Sequence, residues 1–456
     1  MRKKRLSILA LVLAAMFVFS ACGGTSPSGT STPTDSSKPD TGDPSVTKKD
    51  VVLWNRIFEE WNQEYFQRMG EEFNADPNNK TVNLIQEFVP GDAWDEKMKS
   101  AQAAGTAPDT YVQNYGNVIW GAAQGLLQPL DDYVPQDAWD DLMDNVKEFV
   151  SYKGKYYAYP QLVEPAIVLF YRADLFEQAG LDPNKPPKTW DELIEYAKKL
   201  TTDDVFGLGI PGFGPNVGWA TWGWQLQAAG HLALSDDWTK ATVTDQGYVD
   251  FVNFWKRLYD EKVVPEQPLS DYTEMLPYGQ GALAMKLCGS WGLGQLANDY
   301  PEILEVTKVA VAPTKDGKQD RTTSTVGGWT YVLDAKARNP EGAGEYIYWL
   351  LGSDQKRCAD FFKVAGYSKY PPRKSVNDYI MADPEASKNE SMKIISEKIV
   401  PYAAAEPLYA WEISMEINAA LENVILNGMS AEEALKLAEQ NINKFIEDND
   451  VPSKKP

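Results

Sequence analysis

The chemistry open to this chain is bounded first by its scarcest residues. Among 456 residues there is one histidine, His231, and three cysteines, Cys22, Cys288 and Cys358. Multi-histidine or four-cysteine zinc sites and four-cysteine iron–sulfur clusters are excluded. A Ser-His-Asp or Cys-His triad would have to run through His231 alone. No acid stands at a recognisable catalytic spacing from that residue, so a structural role is expected for it, with no metal and no cofactor. Cys288 falls in an apolar strand pattern, where a buried free thiol is expected rather than a bridge to Cys358. The abundant chemistry is aromatic and acidic: 15 tryptophans, 23 tyrosines and 65 Asp and Glu. Indole and phenol rings give flat apolar walls, and carboxylates give strong directed hydrogen bonds. One acid is conspicuous. Glu164 sits between Val163 and Pro165-Ala166-Ile167, and a lone charge in an apolar run needs a partner or a purpose.

The elements that must position these side chains follow an alternating pattern. Val51–Trp54, Val82–Phe88 and Pro108–Val112 read as strands, with helices to about Ala75 and at Trp94–Ala104 between them. That β-α-β-α-β order predicts an α/β sheet covered by helices. Asn55 and Arg56 end the first strand and Asn114 follows the third, at the carboxyl ends where ligands of such sheets lie. Further strands are expected at Ile167–Tyr171, Phe206–Ile210, Ala282–Cys288, Val306–Ala312 and Tyr331–Leu333. Thr189-Trp190-Asp191-Glu192 and Ser430-Ala431-Glu432-Glu433 are capping-box patterns, and Asn339-Pro340 marks another helix start.

The N-terminus is of a different kind. Arg2-Lys3-Lys4-Arg5 precedes an apolar run from Leu6 to Phe19, too short to span a bilayer and suited to a signal peptide. Phe19-Ser20-Ala21-Cys22 resembles a bacterial lipobox, which implies cleavage before Cys22 and lipid on its thiol. Removing residues 1–21 takes four positive charges from a net −21, leaving −25. So acidic a body is not built for nucleic acid or anionic lipid as its main partner. Residues 22–49 are nearly all Gly, Ser, Thr, Pro, Asp and Lys, a tether unable to bury a core. Its reach as a coil is about 30 Å, enough to hold a globular body off a membrane.

Five stretches carry a resemblance along the rest of the chain. They are Ala107-Pro108-Asp109; Tyr159-Pro160 with Leu169-Phe170-Tyr171-Arg172-Ala173-Asp174-Leu175-Phe176; Pro187-Lys188-Thr189-Trp190-Asp191-Glu192-Leu193; Ala282 through Trp291; and Gly327-Gly328-Trp329 followed by Ala337-Arg338-Asn339-Pro340-Glu341. In order and spacing they resemble the bacterial family 1 extracellular solute-binding proteins, the sugar receptors of ABC importers. The resemblance implies an α/β, two-lobed periplasmic-binding-protein-like fold with discontinuous lobes and a hinge, closing on a ligand in the cleft. Carried onto this chain, lobe one holds 50–159 and 290–350, and lobe two holds 160–289 and 351–456.

The resemblance also implies a carbohydrate ligand, of two or more rings on the tryptophan count, and delivery to membrane permease subunits by a lipid-anchored, extracytoplasmic monomer. Sugar C–H faces pack on flat rings, and sugar hydroxyls need fixed donors and acceptors. Trp291, after Gly289-Ser290, stands where the family places an aromatic wall, and Glu164 where an acid faces the cleft. Trp222, then Trp219, come next, followed by Trp329 after Gly327-Gly328 and Trp411 at a C-terminal helix. Asn55, Arg56 and Asn114 are the polar candidates. Two alternatives remain: a secreted glycoside hydrolase, for which 65 acids always supply a pair, and a receptor of the same fold for a non-sugar solute.

Overall fold

The computed structural model describes residues 47–455 except Asp92, Asp271 and Glu385. The side chains of Asn145, Pro215, Asn216 and Trp219 also lie outside the described residues, as do the signal segment 1–21, Cys22 and the tether up to residue 46.

In chain order the strands are β1 (Lys49–Ile57), β2 (Val82–Pro90), β3 (Thr110–Asn114), β4 (Leu127–Gln128), β5 (Ser151–Tyr152), β6 (Lys155–Tyr156), β7 (Ala158–Pro165), β8 (Val168–Arg172), β9 (Met285–Cys288), β10 (Thr307–Ala310), β11 (Thr325–Asp334) and β12 (Ala404–Ala405). A seven-stranded sheet runs β12-β11-β3-β1-β2, with β4 and β7 also pairing β11. Here β1 lies between β2 and β3 and is parallel to both. Parallel neighbours need crossover connections, and helices Glu60–Ala75 and Trp94–Ala104 supply them. The strand order therefore reverses at β1, and in sheets of this kind ligands lie beyond the carboxyl ends of the strands at such a reversal. A second, antiparallel sheet runs β10-β8-β9.

Two large apolar cores follow, beside a small cluster of Ile119, Ala122 and Tyr152. One gathers Val51, Leu53, Phe66, Phe73, Tyr111 and Tyr331 around the large sheet, and the other gathers Leu169, Trp190, Trp224, Phe254, Trp255 and Leu421 around the small one. The small sheet is buried on both faces. Leu169 and Tyr171 of β8 face the second core, while Val168 and Phe170 join the first through Leu293 and Leu296. Helix Trp190–Leu200 starts with the Thr189 capping box, and helix Ala431–Asn449 with that of Ser430. Asn339 caps Pro340–Ile347, accepting from the Gly342 amide. Each of these sequence signals satisfies backbone amides that the first helical turn leaves open.

Several expectations shift. Phe206–Ile210 makes only isolated bridges, Phe206 to Leu283 and Gly209 to Lys286. Its backbone still exchanges hydrogen bonds with the stretch before and into β9, the Gly209 amide donating to the Met285 carbonyl at 2.8 Å and the Leu287 amide to the Gly209 carbonyl at 3.1 Å, and Gly207 lies so close to the Ala197 carbonyl that a Cβ would meet that oxygen at 2.0 Å. Residues 307–310, expected in lobe one, form β10 and pair with β8 of the small sheet. Residues 351–399, expected in lobe two, pack with the first core: Phe361 lies against Trp61, Tyr65 and Phe66. Among the described residues the chain passes between the two sheets near 165–167, 324–326 and 403–409. Cys288 and Cys358 are both free and buried.

Candidate functional site

The passing segments carry the side chains of interest. Across the β7–β11 ladder Glu164 faces Gly327, and Trp329 faces Leu162, with a bulge between Trp329 and Thr330. On its other side Trp329 faces Asn114 of β3. Sheet pairing thus brings together three residues that lie far apart in sequence.

Glu164 is buried, and its carboxylate takes a 2.8 Å ion-paired hydrogen bond from Lys369 Nζ. Lys369 also lies 3.8 Å from Glu59. Burial pushes the Glu164 carboxyl above the usual range, and Lys369 offsets only part of that. Burial pulls the Lys369 ammonium down, but the carboxylates of Glu164 and Glu59 outweigh it and hold its pKa above the usual value. Arg56 leaves the end of β1 and lies over two rings, 4.6 Å from the centre of Phe58 and 5.0 Å from that of Trp329. Those rings meet edge to face at 4.4 Å. Burial lowers the pKa of Arg56, against the nearby charges of Asp95 and Glu59. The result is a half-buried aromatic wall with a guanidinium on it.

A second aromatic group stands on helices that pack into the other core. Trp411 opens helix Trp411–Ile425 and is 37% exposed. It meets Trp222 edge to face at 6.1 Å, and Trp222 is buried with Nε1 donating to Ser414 Oγ at 3.0 Å. Gly223, next to Trp222, lies against the Thr323 carbonyl and Ser324, which sets this pair beside the crossing into β11. Trp224 is core, stacked with Phe254. The side chain of Trp219 is outside the described residues.

The two groups are linked by residues 404–411. β12 pairs with the start of β11, and the Glu406 amide donates to the Val326 carbonyl at 3.2 Å. The half-buried carboxyl of Glu406 lies on Gly327, where a Cβ would meet its oxygens at 2.1 Å. Burial, with Glu164 adding, pushes Glu406 up to about 8. Trp291 approaches from the small sheet. Its ring lies over Gly289, its Nε1 donates to the Thr273 carbonyl at 3.0 Å, and it meets Tyr272 edge on. The Ser290 amide donates to the carbonyl of Pro165, beside Glu164.

Not every expected contact faces open space. Asn55 is 1% exposed; its oxygen accepts from Tyr331 Oη at 2.6 Å and its nitrogen donates to Gln86. The amide is spent inside the sheet. Asn114 caps helix Tyr115–Ala123 by accepting from the Asn117 amide at 2.9 Å. His231 pairs with Asp245 at 2.5 Å, although that acid lies fourteen residues on, and Asp245 also caps helix Gln246–Asp260. Among the described residues no three His, Cys, Asp or Glu side chains could hold a metal ion. Four contributors escaped the sequence reading: Phe58, Glu59, Lys369 and Glu406. Glu406 carried a legible signal, since Ala405-Glu406-Pro407 repeats the lone acid before proline of Glu164-Pro165.

Residues 68–394 match the family of bacterial extracellular solute-binding proteins. The mannitol-binding protein of Pseudomonas aeruginosa is 25% identical over 363 residues, covering 72% of this chain and 77% of that protein. An ABC transporter solute-binding protein from Thermotoga lettingae, solved with α-D-tagatose, superposes with a TM-score of 0.75 at 26% identity, over 88% of this chain and 100% of that one. The GacH receptor of Streptomyces glaucescens, solved with acarbose, shares the fold with a TM-score of 0.75 at 23% identity, over 88% of this chain and 99% of that one. With a strand order that reverses at β1, segments passing between two sheets, and a family match across most of its length, the chain belongs to the bacterial extracellular solute-binding proteins.

Proposed function

We propose that this protein captures a carbohydrate outside the cytoplasm and hands it to the permease subunits of an ABC importer. The observation that carries the reading is the pair of aromatic groups at the crossings. Trp329 with Phe58 packs on one core, and Trp411 with Trp222 stands on helices whose buried residues Trp224, Ile413 and Ile417 join the other, with the 404–411 segment and its Glu406 running from β11 to Trp411. Stacking walls plus charged hydrogen-bonding groups suit a ligand with apolar faces and hydroxyl edges. Two walls suit a ligand of two or more rings. On this reading lobe one comprises about 49–165 and 325–403, and lobe two about 166–324 and 404–455. Ligand shifts an open–closed equilibrium because only the closed form lets both lobes touch it. Mannitol and tagatose, bound by the Pseudomonas and Thermotoga relatives, belong in the first panel beside maltotriose.

Thermal shift against that panel tests the reading. A ligand at 100 times its Kd adds about 2.7 kcal/mol, or about 5 °C at roughly 2 °C per kcal/mol in a body of this size. Small-angle scattering should show a smaller radius with the same sugar. No shift with any neutral sugar would refute it. The anchor is a separate part of the proposal: the mature chain begins at Cys22 and partitions into detergent, and Cys22→Ala should release it from membranes.

A further inference from the structure

Glu406 stands where several independent observations meet. Its backbone is tied to β11 through the Val326 carbonyl, so the residue has a defined place at a crossing. Its side chain folds onto Gly327, the residue that faces Glu164 across the β7–β11 ladder. Two carboxyl groups therefore flank one glycine. The Glu164 carboxyl is paired with Lys369. The Glu406 carboxyl, among the described residues, makes no hydrogen bond and no ion pair, although it is half-buried. Its carboxyl is therefore open to a partner from outside the chain. Two residues before Gly327 the buried Thr325 Oγ1 has no partner, and neither has the buried Ser290 Oγ next to Trp291.

We propose that Glu406 is a specificity-determining contact, presenting its carboxyl group to a hydroxyl of the bound sugar from the opposite side of Gly327 to Glu164. The inference rests on the carbohydrate reading above. Glycine at 327 is what makes room, since any larger residue would displace the carboxyl. The groups that act on Glu406 are Glu164 from β7 and Tyr115 from helix Tyr115–Ala123, whose hydroxyl is already committed to the Leu162 carbonyl. Lys369 is spent on Glu164 and Glu59. Burial holds Glu406 at about 8, so at neutral pH it is the uncharged acid. In that form it donates one hydrogen bond and accepts another, matching a hydroxyl that does both. The carboxylate would only accept.

Isothermal calorimetry on the full mature chain tests this. The probe is whichever of D-mannitol, D-tagatose and maltotriose raises the wild-type melting temperature most. Wild type should bind with constant affinity from pH 6 to 7 and about tenfold more weakly at pH 9, where the proton must be regained before binding. Glu406→Gln, which keeps a donor and an acceptor, should bind within about threefold of wild type at pH 7 and lose the weakening at pH 9. Glu406→Ala should cost about 10- to 100-fold in Kd, the scale of a buried hydrogen-bonding contact. If Glu406→Ala does not fold, the pH profiles of wild type and Glu406→Gln decide the matter. A wild-type profile that is flat to pH 9, or one that Glu406→Gln leaves unchanged, overturns the inference while leaving the carbohydrate reading intact. Failure of wild type to bind any of the three sugars overturns both.

Discussion

Replacing Lys369 by methionine keeps the stem of the side chain and deletes only its charge. Lys369 is 6% exposed, and its ammonium serves Glu164 at 2.8 Å and Glu59 at 3.8 Å. Without it a buried carboxylate stands unpaired, with Glu406 as a further acid beside it. Breaking a buried pair by removing one partner costs about 3–5 kcal/mol. At roughly 2 °C per kcal/mol that is a fall of about 6–10 °C in melting temperature at pH 7. The pH dependence has a definite sign. Burial already raises the Glu164 pKa in the folded state against the pull of Lys369, and removing Lys369 raises it further. A carboxyl whose folded pKa is raised stabilises the fold while protonated and loses that contribution as pH rises through the folded value. The deficit of Lys369→Met should therefore be small near pH 5 and largest near pH 8. The double variant Lys369→Met, Glu164→Gln removes both charges and should recover most of the loss, because the cost lies in the orphaned charge. Differential scanning calorimetry at pH 5, 7 and 8 reads all of this. A single variant melting within about 1 °C of wild type at pH 7, or a double variant no better than the single, would show that the pair does not carry the energy assigned to it.

Four other substitutions separate binding from packing. Trp411→Ala should weaken sugar binding about 10- to 100-fold with a melting change under about 2 °C, because the ring is 37% exposed; Trp222→Ala should cost both, since its ring is buried and bonded to Ser414. Trp291→Ala should cost about 30- to 1,000-fold in Kd by calorimetry on the folded variant, and full affinity with lowered stability would make Trp291 a packing residue. Asn55→Leu leaves the Tyr331 hydroxyl and the Gln86 side chain without their partner; urea denaturation should show a loss of about 1–3 kcal/mol, with affinity in the surviving fold unchanged.

Local signals in the sequence were enough for the elements, because caps and periodicity act within a few residues. The Thr189 and Ser430 capping boxes, the Asn339 cap and helix Trp94–Ala104 stand where their patterns place them. So does the parallel start of the large sheet, whose strands alternate with helices. Ordered motifs were enough for the family. Properties set by partners distant in the chain were not legible. Phe206–Ile210 has the composition of a strand, and its partner, the stretch leading into β9, lies about 75 residues further on and meets it only at isolated bridges. Residues 351–399 have no local feature that chooses a core; the fit of Phe361 against Trp61, Tyr65 and Phe66 decides it. His231 finds its acid fourteen residues away because a helix cap brings Asp245 round. The candidate site divides the same way. Glu164 was visible as a lone acid in an apolar run, but its partner stands 205 residues further on, and only the pairing of β7 with β11 sets it opposite Gly327 and Glu406. Asn55 reads as a strand-end contact until the sheet turns its amide onto Tyr331. Residue type says what a side chain can bond; the strands that cross between the two cores decide which partner it meets.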